Sequence, residues 1–240
     1  MNRLHIGFTK QLELPKSKFL FTDDEVPNIP HSRVFDPTKH SLNPLKNLTY
    51  KSARDLADVL YTVSPQGENT LTVRNGRRSL LKALLTTTRL DKIKGDEEVT
   101  GMIEDLLVSP MLESVLCNAT NFSFNPNSII LARINRAELG DFDALVLGLI
   151  LINHYKGQVV VKDFGFYGRD AHTQLIREQR LIAGVNFLDE LPPKLRRSAL
   201  LIKDKVASGA LPHDADTLAV YAGLKRGVNN YEAFVEAAIE

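Results

Sequence analysis

The sequence predicts an α/β fold: a mainly parallel sheet with helices on both faces, carrying a helical insertion. Three observations lead there. Strand-like and helix-like segments alternate through the second half of the chain. The strand-like segments IILARI, QVVV, RLIAGV and ALLI are near-continuous apolar runs, the pattern of strands buried on both faces in helix-covered parallel sheets. Ahead of them, apolar residues recur at helical spacing from Lys51 to Val115, which predicts helices without intervening strands.

Taken in order, residues 1–48 are irregular and strand-rich. LHIGF, KFLF and SRVFDP are punctuated by Pro15, Pro27, Pro30, Pro37 and Pro44, and proline confines strands to short pieces. Residues 49–120 form the helical insertion. Its first helix places Ala53, Leu56, Ala57, Leu60 and Tyr61 on one face and stops at Pro65–Gln66–Gly67. A second is expected from about Asn69 to Thr87, with Leu71, Leu80, Leu81, Leu84 and Leu85 inward and Gly76 weakening its middle. A third runs from an Asp96 cap to Val108, burying Met102, Ile103, Leu106 and Leu107, and Pro110 opens a continuation through Met111, Leu112 and Val115. The turn-rich stretch Asn118–Ser128 marks the boundary to residues 121–240, the α/β half of the same domain.

In that half, strands are predicted over 128–134, 158–164, 180–187 and 199–204. Helices are predicted over 137–155, 170–179 and 193–198, and a last one is capped by Asp214 and stopped by Gly223. The crossovers are expected to be right-handed.

Composition narrows the functional classes. With 43% hydrophobic and 25% charged residues the chain is neither disordered nor fibrous. Its formal charge of +1 means that any nucleic-acid contact must come from a local basic patch. A single cysteine, Cys117, excludes an internal disulfide, and the six scattered histidines form no H-E-x-x-H zinc motif. No secretory leader is visible, and the most apolar stretch, Ala144–Ile152, is about half the roughly 20 residues of a membrane span. A cytoplasmic protein without membrane insertion is the expectation.

Ligands of open parallel sheets bind beyond the carboxyl ends of the strands. Three predicted strand ends carry polar residues: Val161 runs into Lys162 and Asp163, Val185 into Asn186, and Phe35 into Asp36–Pro37. A carboxylate such as Asp163 either caps the turn GFYGRD or holds magnesium. Phe166 and Tyr167, set between Gly165 and Gly168 in that turn, either grip a partner or plug the rim of the core. Arg74, Arg77, Arg78 and Lys82 fall on one helix face, which serves either nucleic-acid phosphates or solvent. Lys194, Arg196 and Arg197 form a second basic cluster.

The run SIILARINRAELGDFDALVLGLILINHYKGQVVVKDFGFYGRDAHTQLIREQRLIAGVNFLDEL resembles the second half of the ATPase core in DNA-pumping motors, the FtsK–HerA translocases and the coupling proteins of type IV secretion. Upstream, FDPTKHSLNPL followed by SARDLADVL is similar to their "dP…NPL" stretch, so the likeness spans roughly residues 32 to 224. It implies a P-loop NTPase-like, Rossmann-like fold, with Asp163 as the Walker B aspartate and Asn186 as the polar sensor. It also implies Mg-ATP as cofactor and DNA as partner. The working form would be a homo-oligomer or a partner ATPase subunit, in which Arg196 or Arg197 would reach across a subunit interface.

Two departures shape the functional expectation. No G-x-x-x-x-G-K-[ST] phosphate loop occurs, and Phe164 follows Asp163 where an active motor carries glutamate. Both losses remove electrostatic stabilisation from phosphoryl transfer. The expectation is a degenerate, non-catalytic motor-ATPase-like subunit in DNA translocation or packaging. Two alternatives stay open: an ATPase with an unusual or partner-supplied phosphate-binding element, and a structural module of a viral or secretion assembly.

Overall fold

The change of period near Lys51 is the start of helix α1, Tyr50–Val63, in the computed structural model of the chain. The structure describes residues 31–63, 70–125, 128–155, 157, 159–161, 164–169 and 172, together with the backbone of strands at 4–8, 19–22, 181–185 and 199–201. Two compact units emerge, Phe21–Lys156 and a second formed by Met1–Leu20 with Gly157–Glu240. The helical segment and the strands flanking it on both sides thus belong to one unit.

In the unit Phe21–Lys156, α1 begins with a reciprocal cap. Ser52 Oγ accepts from the Thr49 N–H at 2.8 Å, and Thr49 Oγ1 accepts from the Ser52 N–H at 3.2 Å, which satisfies donors that helix ends leave open. The helix buries Ala53, Leu56, Ala57, Val59, Leu60 and Tyr61 and packs against α2, Thr70–Thr86, and α6, Asp141–His154. In α2 the buried face is narrower than the sequence predicts. Leu80, Ala83 and Leu84 are buried, whereas Leu85 is 44% exposed. Helix α3, Glu97–Leu107, starts where Asp96 accepts from the Val99 N–H at 3.0 Å. Helix α4, Pro110–Cys117, starts where Ser109 Oγ accepts from Leu112 N–H, and the same hydroxyl also bonds Asp143. Cys117 is buried.

Gly76 has a role that helix propensity does not suggest. A Cβ there would overlap the Tyr61 hydroxyl of α1 and stand 2.7 Å from Glu98 Oε1 of α3, the pair joined by a 3.2 Å hydrogen bond. Glycine therefore lets three helices close on one another. Alanine would gain about 1 kcal/mol of helix propensity but meet an overpacking cost of about 1–3 kcal/mol. Gly76→Ala is expected to lower the unfolding free energy in urea, and a Tyr61→Phe background is expected to recover part of the loss. A stabilised Gly76→Ala protein would show that the three helices do not need this close approach.

Strands β3, Ser32–Phe35, and β4, Ile129–Arg133, pair in parallel from Ser32↔Ile129 to Phe35↔Ala132. The single helix expected over 137–155 is two. Helix α5, Arg136–Leu139, is capped by Asn135 Oδ1 on the Ala137 N–H, and α6, Asp141–His154, follows it. Gly140 breaks them with φ +81°, a conformation costly to residues with a Cβ. Ala144 and the continuous run Val146–Ile152 of α6 are buried, as a helix apolar on every side must be. No described helix is long and apolar enough to cross a membrane.

In the other unit, four strands pair in parallel: β5 (Val159–Val161) with β6 (Leu181–Val185), β6 with β1 (Leu4–Phe8), and β1 with β7 (Ala199–Leu201). A further strand, β2, spans Phe19–Thr22, where the chain passes from this unit into Phe21–Lys156. The strand expected to reach Phe164 is described over Val159–Val161, and Phe164–Tyr167 form the short helix α7. Gly168 closes that turn. Its N–H donates to the Phe164 carbonyl at 2.5 Å, and a Cβ at 168 would stand only 2.7 Å from the same oxygen. Phe164 and Tyr167 are buried, so Tyr167 fills the core and does not extend from a loop. The chain is a mixed α/β protein with parallel strand pairing. The helices expected over 170–179, over 193–198 and from Asp214 to Gly223 lie outside the described residues.

Candidate functional site

At the carboxyl ends of β3 and β4 the structure builds a closed polar knot. Asp36 is 5% exposed. Its Oδ1 accepts from the Thr38 N–H at 3.0 Å and the Thr38 hydroxyl at 2.6 Å, and its Oδ2 faces Arg133 at 3.4 Å and Lys39 at 3.5 Å. Burial pushes the carboxyl pKa up, but the Thr38 hydrogen bonds and the two cations together outweigh it and hold it below the ordinary value. Arg133 also pairs with Glu138. With both carboxylate oxygens engaged, Asp36 is an anchor and not an open ligand.

The rest of the FDPTKHSLNPL stretch is anchored in the same way. Ser41 N–H donates to Asn121 Oδ1, Ser41 Oγ to the Ala119 carbonyl, Asn43 N–H to Thr120 Oγ1, and Asn43 Nδ2 to the Thr88 carbonyl. Ala119, Thr120 and Asn121 of the turn-rich stretch are thus partners for Ser41 and Asn43.

The basic residues of α2 lead to a different geometry. Arg74, Arg77 and Arg78 line a cleft of about 510 Å³ between α1 and α2, joined by Arg54 and Asp58 of α1 over a floor of Ala57, Val73 and Leu81. Arg77 is paired with Asp58 and so bridges the two helices. Arg54, Arg74 and Arg78 are exposed and have no ion pair among the described residues. Lys82, on the same helix, is exposed but does not line the cleft. Arg54 was not singled out from the sequence, because helical spacing groups residues of one helix only.

The third location is the carboxyl edge of β5 and β6. Their register, Val159↔Leu181 to Val161↔Ala183, makes them parallel neighbours, so both strands end toward one edge. Asp163, Asn186, Arg196 and Arg197 lie outside the described residues. Phe164 is described: it is fully buried, with its ring centroid 5.5 Å from that of His172. Arg169 donates to the Phe166 and Gly168 carbonyls, both at 2.8 Å, and burial lowers its pKa. The described side chains at this edge therefore offer neither a carboxylate to magnesium nor a free cation to phosphate. Among the described residues no group of three or more His, Cys, Asp or Glu is placed to hold a metal.

No family model, no curated protein and no solved structure matches the chain.

Proposed function

We propose that the chain is a non-catalytic, motor-ATPase-like subunit that handles DNA in a translocation or packaging assembly. The observation that carries this reading is the parallel pairing of β5 with β6. The strand leading toward Asp163 and the strand leading toward Asn186 are direct neighbours ending toward one edge, where open α/β sheets place ligands. The buried Phe164 supports the non-catalytic part, because an aromatic enclosed in the core cannot orient water for attack on a phosphoryl group.

Phosphate release by the full chain with Mg-ATP, with and without duplex DNA, tests the reading. The wild type is expected to show no turnover above Asp163→Ala. Magnesium-dependent turnover that disappears in Asp163→Ala would make the chain an ATPase in its own right.

A further inference from the structure

We infer that the cleft between α1 and α2 is a binding site for a chain of phosphates, the backbone of a nucleic acid. Four arginines, Arg54, Arg74, Arg77 and Arg78, line it, and among the described lining residues Asp58 supplies the single carboxylate. Asp58 is committed to Arg77. Among the described residues that leaves Arg54, Arg74 and Arg78 as like charges lining one concavity, in a protein whose formal charge is only +1. Arg74 and Arg78 stand four residues apart on α2, a spacing at which like charges repel. A bound polyanion relieves that repulsion, whereas a plain solvated face has no reason to converge from two helices.

The chemistry of the walls selects the ligand. Guanidinium groups present planar donor forks that match phosphate oxygens, and they stay charged at every physiological pH. Like charges lining a concavity focus the field and raise the local concentration of an anion. The apolar floor of Ala57, Val73 and Leu81 leaves room for the sugar between phosphates, and the volume of about 510 Å³ lies within the range of roughly 300–1,000 Å³ usual for ligand sites. The site stands apart from the motor reading, because every described lining residue belongs to the unit Phe21–Lys156 whereas β5 and β6 belong to the other.

The experiment uses the full chain, with labelled 20-mer DNA of arbitrary sequence and inorganic tripolyphosphate as probes. Arg54→Gln and Arg78→Gln are compared, singly and together, with Lys82→Gln. Each cleft substitution is expected to weaken DNA binding and to reduce the slope of log affinity against log salt by about one, with melting temperature unchanged. Lys82→Gln is expected to keep the wild-type slope. Tripolyphosphate binding that is lost in the double variant while DNA binding persists would keep the site but assign it to a free polyphosphate. Equal loss in Lys82→Gln and Arg54→Gln would replace the cleft with a diffuse basic face, and unchanged binding of both probes in the double variant would overturn the inference. Loss of phosphate turnover in Asp163→Ala bears on the motor reading and leaves this one untouched.

Discussion

Phe35→Ala is expected to destabilise the unit Phe21–Lys156 by about 3–5 kcal/mol, the range for truncating a buried phenylalanine. Phe35 is the last residue of β3 and is fully buried. Its ring lies 5.4 Å from those of Phe122 and Phe124 and 5.9 Å from that of His40, and Phe124 in turn meets His154 at 5.5 Å. The Arg33 guanidinium sits 4.8 Å over Phe122. Removing the central ring leaves a cavity among the rings of His40, Phe122 and Phe124. Urea unfolding of the full chain measures the loss. A change below about 1 kcal/mol would mean that the aromatic cluster is not the core of this unit.

The second large effect is a loss of stability in mild acid caused by His172. This side chain is fully buried; its Nδ1 accepts from the Arg169 N–H at 3.2 Å, and its Nε2 has no hydrogen-bond partner among the described residues. Burial, with a smaller contribution from the Arg169 charge, pushes its pKa from 6.5 down to about 3. Above pH 6.5 the ring is neutral in both folded and unfolded chains, and no pH dependence arises from it. Below that, the unfolded chain takes up a proton and the folded one does not. Stability therefore falls from pH 6.5 toward pH 3, by about 2 kcal/mol at pH 5. Comparing urea midpoints at pH 7.5 and pH 5 should show a wild-type loss that His172→Gln largely removes. An identical loss in both proteins would assign the acid sensitivity to other groups.

Much of the helical architecture was legible because amphipathic spacing and capping residues agree. Asp96 caps α3 and Pro110 opens α4 as side-chain chemistry predicts, and the apolar run from Ala144 lies in a buried helix. The misses have physical causes. Gly140 sits inside an unbroken helical pattern, where glycine is tolerated, and only its positive φ shows the break between α5 and α6. The stretch after Val161 keeps strand-like aromatics, and the turn of α7 depends on the close approach that Gly168 permits.

The site was less legible than the fold. Asp36 reads as a strand-end carboxylate, but Thr38 and Arg133, one local and one distant in the chain, occupy its oxygens. The α1–α2 cleft was half visible: α2 showed its arginines, while Arg54 joins them only through helix packing. Gly76 illustrates the same limit. Read alone it weakens a helix; in the fold it admits Tyr61 and Glu98.

The affinity of the full chain for duplex DNA, followed across salt concentration with and without Mg-ATP, bears most directly on a DNA-handling subunit that does not hydrolyse ATP by itself. The predicted result is sequence-independent binding whose log affinity falls linearly with log salt and is unchanged by Mg-ATP. Absence of binding at low salt, or binding that appears only with hydrolysable ATP, would contradict it.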